Sequence, residues 1–143
     1  MSSKGTYVLI LHLKKRTKLK IGKLGCFDFK RGYYAYVGSA FGPGGLASRL
    51  KHHCTLSTNP HWHIDYLSNT APVIETWVHA GLTGYEHEWA GNMYRLKSSS
   101  CPIKGFGSSD CGCQAHLFYF ERKPVPKMLS QALPGAVLER VSH

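Results

Sequence analysis

The sequence predicts an α/β (α+β) sandwich: a small central, mostly antiparallel sheet flanked by helices. Three observations predict it. Short aromatic and β-branched runs of strand length are interleaved with stretches of helical periodicity. Glycine and proline clusters divide them at short intervals. The 143 residues, 43% hydrophobic and 12% aromatic, suffice for one buried core and are too few for two full domains. Residues 1–143 therefore read as one domain, with a core over about 5–120 and a C-terminal extension over 121–143. No run approaches the roughly 18 consecutive apolar residues of a membrane span, so no membrane partner is expected. Lys4 and Gly5 lead straight into a strand-like run without a signal-peptide core, and the five cysteines cannot all pair within one chain. A cytoplasmic protein is expected.

Residues 5–13 (GTYVLILHL) are apolar on both alternating faces, the pattern of a central strand covered on both sides. Residues 18–25 and 26–31 read as a basic hairpin or a pair of edge strands, and 33–37 as a second strand closed by Gly38. Gly42-Pro43-Gly44-Gly45 breaks the chain before a helix over 46–54. Helical spacing places Leu46, Ala47, Leu50 and Cys54 on one face, with Arg49 and His53 flanking it toward the sheet and His52 toward solvent. Residues 61–67 form a short helix or turn, and 73–79 alternate as a strand. Residues 83–97 carry a helical stripe of Tyr85, Trp89, Met93 and Leu96. Glu88 sits at one margin of that stripe and Glu86 at the other. Residues 115–120 read as a closing strand, and the chain from 124 onward as a short helix and a loose tail.

Charge is lopsided. Residues 1–51 hold eleven of the eighteen basic residues and one of the eight acids, Asp28, so the whole net charge of +10 resides there. Lys14, Lys15, Arg16, Lys18, Lys20 and Lys23 are its densest part. A surface that meets a polyanion has this footprint; a solvated face kept for solubility is the alternative.

Gly5-Thr6-Tyr7 opens the first strand and Tyr36-Val37-Gly38 closes the next. With Gly38-Ser39-Ala40, the glycine-rich turn, Arg49 on the first helix and a later glutamate, the chain resembles the GIY-YIG nuclease superfamily. The segments IGKLG (21–25), GYYAYVGSAFGPGGLASRL (32–50), HWHIDYL (61–67) and GFGSSDCGCQAHLFYF (105–120) are similar to one branch of it. That branch is catalogued as a domain of unknown function and occurs alone or fused to endonuclease III-like repair enzymes. The resemblance runs from about Gly5 to Phe120.

The resemblance implies a metal-dependent endonuclease acting on phosphodiester bonds of DNA, with RNA as an alternative, in repair or processing. Its cofactor would be Mg2+ or Mn2+, and one well-placed glutamate suffices because Mg2+ keeps most of its waters. Glu88 matches the family's metal-binding glutamate, with Glu86 as the alternative. Arg49 matches the catalytic arginine, and an inward guanidinium requires an anion, either a scissile phosphate or a structural carboxylate. Tyr7 matches the tyrosine that takes a proton from the attacking water, its pKa drawn down by Arg49, the basic hairpin and the metal, while Tyr36 would orient water or phosphate. Of the histidines near the family's site histidine, His63 is favoured, then His53 and His61; each is equally readable as a packing histidine. Other members carry a further C-terminal asparagine, and here only Asn92 is conveniently placed. Cys111-x-Cys113, with Cys101 and His116 nearby, lacks the usual zinc spacing and reads as buried structural thiols; Asp110 reads as a turn residue. A separate DNA-reading domain has no room in this length, so high sequence specificity would need a homodimer or a repair-protein partner. A catalytically silent nucleic-acid-binding module is the second reading.

Overall fold

The computed structural model describes residues 3–55, 62–103, 106 and 116–140. Strand β1 (Gly5–Leu13) is the centre of a five-stranded antiparallel sheet. It pairs on one side with β4 (Gly32–Ala40) and on the other with β5 (Val73–Ala80). Strands β6 (Leu117–Phe120) and β7 (Val137–Arg140) complete the edges, in the order β6-β4-β1-β5-β7. This is the sandwich read from the sequence, and β1 is central for the expected reason. Its alternate side chains feed two separate cores: Tyr7, Leu9, Leu11 and Leu13 on one face, Val8 and Ile10 on the other.

The first core is covered by α1 (Gly45–His53), α2 (His63–Ser68) and a two-stranded hairpin of β2 (Thr17–Ile21) and β3 (Gly25–Phe29). In the hairpin Ile21 and Phe29 are buried while Lys18 and Lys20 face outward, so the basic residues decorate an element anchored by its apolar ends. The second core is covered by α3 (Glu86–Tyr94) and α4 (Pro126–Ala132), through Trp89, Met93 and Leu129. Among the described residues no helix is long and apolar enough to cross a membrane.

Three details differ from expectation. The buried stripe of α1 is Leu46, half-buried Leu50 and His53, whereas Ala47 and Cys54 are exposed. A spacing of four then three selects His53, and Cys54 lies just past the helix end. Helix α3 is shorter than the periodicity suggested, its ends turning at Tyr85 and Arg95. The C-terminal segment is not a loose tail: β7 pairs with β5 from Glu75↔Arg140 to Val78↔Val137, and Leu129 and Leu133 are fully buried. Residues 121–140 are thus part of the sandwich. Trp89 Nε1 donates to the Pro134 carbonyl at 3.3 Å and Asn92 Nδ2 to that of Ala132 at 2.9 Å, which ties this segment to α3. Four residues on a half-exposed edge carry too little alternation to announce a strand; partners distant in sequence supply it.

Candidate active site

The antiparallel register of β1 and β4 sets Tyr7 opposite Gly38 and Leu9 opposite Tyr36. Both tyrosines therefore stand on the face covered by α1, one diagonal step apart. Gly38 is required there: a Cβ at that position would lie 2.5 Å from the Tyr7 hydroxyl and ring carbon Cζ. The two glycine-tyrosine motifs are thus one packed unit. Gly5 serves the other neighbour, since a Cβ on it would lie 2.1 Å from the His79 carbonyl of β5.

Helix α1 brings His53 to Tyr7, with 2.7 Å between Nε2 and the tyrosine hydroxyl. The Tyr36 ring lies 6.3 Å from that of His53 and 6.2 Å from Phe106. One turn earlier, Arg49 donates from Nη1 to the Ser39 carbonyl at 3.1 Å and lays its guanidinium 4.2 Å from the Trp62 ring centre. Among the described residues Arg49 forms no ion pair. Burial pushes Tyr7 and Tyr36 well above the ordinary phenol range, outweighing the Arg49 guanidinium, which pulls both down. The expected net lowering of Tyr7 is therefore reversed: it is held as a phenol. Burial also pushes His53 down to about 4 against the opposing charge of Asp65, leaving a neutral imidazole at neutral pH.

Asp65 is not singled out by the sequence, yet it organises the histidines. It sits at the third position of α2, where Oδ2 accepts the Trp62 amide at 3.0 Å and its own amide bonds the Trp62 carbonyl. Oδ1 accepts His52 Nε2 at 2.9 Å and lies 3.8 Å from His53 Nδ1. His52 is accordingly half-buried rather than free in solvent. An acid three residues after Trp62 in HWHIDYL is a legible capping signal; its partnership with α1 is not. His52, His53 and Asp65 offer ligand atoms within 4.8 Å of one another, a grouping that could hold a cation.

The two candidate glutamates of α3 differ in their surroundings. Glu88 is exposed on α3 and is not among the charges that act on Tyr7 or Tyr36. Glu86, the first residue of α3, is one-quarter exposed, and its carboxylate acts on both Tyr7 and Tyr36, raising them further. Its Oε1 lies 3.9 Å from Nδ1 of buried His116. The buried stripe of α3 faces the second core, and of the two glutamates it is Glu86, at the helix start, whose charge is felt at the tyrosines. Asn92 is occupied by Ala132 and Arg95 and does not join the site. His63 packs on Phe106, 5.5 Å between rings, and reaches Tyr36 through it. His61, Asp110, Cys111 and Cys113 lie outside the described residues; Cys101 is half-buried with its thiol pKa raised by burial.

The basic residues are not part of this cluster. Lys14 and Lys15 follow the far end of β1, about 20 Å from Tyr7 along the strand. Lys18 and Lys20 on β2 and Lys23 in the turn after it are exposed, with β2 packed on α2. Arg16 is tied to Asp28, Nε to Oδ2 at 2.8 Å, with a second bond from Nη2. The partly exposed carboxylate of Glu86 is the kind of single oxygen donor that leaves a hard divalent cation its waters, whereas the histidine group offers two nitrogens. Nothing among the curated proteins or the solved structures matches the chain. One family model does match, over residues 6–137, and the chain belongs to that family, described as Domain of unknown function DUF123.

Proposed function

We propose that this chain is a divalent-metal-dependent endonuclease of the GIY-YIG type that hydrolyses phosphodiester bonds of DNA. The observation that carries the reading is the Tyr7–His53 hydrogen bond beside Arg49, the latter bearing no carboxylate partner among the described residues. A guanidinium without an acid suits a phosphate anion, and its planar fork matches two phosphate oxygens. Arg49 then neutralises charge that grows on the phosphoryl oxygens, while Tyr7 holds the attacking water by its hydroxyl. His53 positions Tyr7 and touches no substrate. Tyr36 packs behind the pair. Glu86 would hold Mg2+ or Mn2+, which supplies Lewis-acid polarisation of a phosphate oxygen when bound.

The test is a panel of duplex, flapped, branched and single-stranded DNAs, with matching RNAs, incubated with and without Mg2+ or Mn2+. Divalent-dependent cleavage is expected. Glu86→Gln should fall below about a tenth of wild-type rate with DNA affinity in EDTA unchanged, since it removes a ligand rather than a phosphate contact. Glu88→Gln should cleave like wild type. A reversed pattern would restore Glu88 to the metal role.

The second reading, a silent nucleic-acid-binding module, is favoured by the depth of Tyr7, which is 1% exposed and held as a phenol. Binding without cleavage across the panel would select it. Both readings share one expectation. Replacing Lys14, Lys15, Lys18 and Lys20 by Gln should reduce the log–log salt slope of duplex binding by about 0.9 for each phosphate no longer neutralised. Arg16→Gln should change the slope less, because Asp28 already holds that charge. An unchanged slope in the fourfold variant would make the cluster a solubility face.

A further inference from the structure

We propose that His52 Nε2, His53 Nδ1 and Asp65 Oδ1 form a binding site for a transition cation of the Zn2+ or Co2+ class, separate from the glutamate on α3. One ligand atom from each of the three residues lies within 4.8 Å of the other two. The two edges to Asp65 Oδ1 are 2.9 Å from His52 Nε2 and 3.8 Å from His53 Nδ1. A tetrahedral zinc with bonds of about 2.0–2.1 Å requires ligand–ligand edges of about 3.3 Å. One edge opens and the other closes by about half an ångström, within reach of side-chain rotation.

A second, independent observation points to a ligand. His53 is 3% exposed, and its Nδ1 has no hydrogen-bond partner among the described residues. A buried imidazole nitrogen left in this state is costly. Coordination satisfies it. The remaining ring nitrogen and carboxylate oxygen are already held from outside: His53 Nε2 by the Tyr7 hydroxyl, Asp65 Oδ2 by the Trp62 amide. Metal-ligating histidines and carboxylates are oriented by outer partners of this kind. Two imidazoles and one carboxylate oxygen select Zn2+, Co2+, Ni2+ or Cu2+ over Mg2+ and Ca2+, which prefer all-oxygen shells. His52, one-third exposed at its side chain, gives the ion an entry and leaves a fourth position for water. A cation on Nδ1 also decides the tautomer of His53: the proton resides on Nε2 and is donated to the Tyr7 oxygen.

This site stands whether or not the chain cleaves DNA, and its test reads metal alone. Untagged full-length protein is stripped with chelator and titrated with Co2+, then challenged with Zn2+. Expected are one equivalent of Co2+ with visible d–d bands, no thiolate-to-cobalt charge-transfer band in the near ultraviolet, and displacement by Zn2+. Losing an outer partner of a zinc ligand already costs about 10–100-fold in affinity, so His52→Ala should weaken binding by at least that much. Asp65→Asn should do the same, and Zn2+ should raise the unfolding temperature of wild type but not of His52→Ala. The Cys111→Ser/Cys113→Ser variant should bind like wild type. If Asp65→Asn fails to fold, His52→Ala, at a half-buried position, decides. Undiminished binding by His52→Ala, a thiolate band, loss of binding in the cysteine variant, or no cobalt spectrum would each overturn the site.

Discussion

Arg49→Ala and Tyr7→Phe should each slow single-turnover DNA cleavage by about a hundredfold to a thousandfold, the range for removing one preorganised transition-state contact. Binding in EDTA should change far less, because these contacts strengthen only as charge develops on the phosphate. The structure also sets what each variant does to folding. Arg49→Ala loses the hydrogen bond to the Ser39 carbonyl and the stacking on Trp62, the latter about 0.5–2 kcal/mol. Tyr7→Phe keeps the ring but removes the partner of buried His53 Nε2, which costs about 1–3 kcal/mol. Both proteins should unfold at lower temperature and remain folded at 25 °C. Cleavage at saturating enzyme, measured beside thermal unfolding, separates the two effects. Wild-type rates from both variants would end the catalytic assignment, and rates that recover fully when stabilising conditions restore folding would make the residues structural.

Gly38→Ala should be nearly as damaging without touching a reacting group. The added Cβ would sit 2.5 Å from the hydroxyl and Cζ of Tyr7, closer than real contacts allow. The obstructing atoms are not a free chain end, because the ring is buried and its hydroxyl is held by His53. Tyr7 must therefore move by about an ångström, a misplacement that can cost about a hundredfold in rate. Overpacking of this kind also destabilises by about 1–3 kcal/mol. Gly42→Ala, where nothing lies within 4 Å of the added carbon, is the matched control and should behave like wild type. Urea unfolding and single-turnover cleavage of both variants check the argument. A Gly38→Ala protein that folds and cleaves like wild type would show that the position of the Tyr7 ring does not matter to the reaction.

Most of the fold is legible along the chain because its cause is local. The doubly buried pattern of GTYVLILHL marks β1 as central, the glycine-rich run before Leu46 marks the start of α1, and the Trp89–Met93 stripe marks the buried side of α3. The pairing of Tyr7 with Tyr36 on one face follows from strand alternation once the two strands are neighbours. The choice between Glu86 and Glu88 is of another kind. Both flank the same stripe, and the stripe packs on the face away from the tyrosines, so helical arithmetic ranks them without knowing where the sheet ends. Only the packed position of the first turn of α3 makes the Glu86 charge felt at Tyr7.

Asp65 and β7 show the same division. As a capping acid Asp65 is a property of residues 62–65, and as the partner of His52 and His53 it is a property of two helices docked on one sheet face. The four residues of β7 have no period of their own and become a strand because β5 offers an open edge with unpaired amides and carbonyls. The state of Tyr7 is likewise tertiary. Near Arg49 a phenol is expected to ionise more readily, but closing α1 over β1 removes its water, and desolvation outweighs the neighbouring charge. Residue order alone determines periodicity, turns and caps, which act over a few residues of chain. Which carboxylate, imidazole or lysine shares a cavity, and at what dielectric, is decided by packing between elements tens of residues apart, where burial sets the energy of every charge.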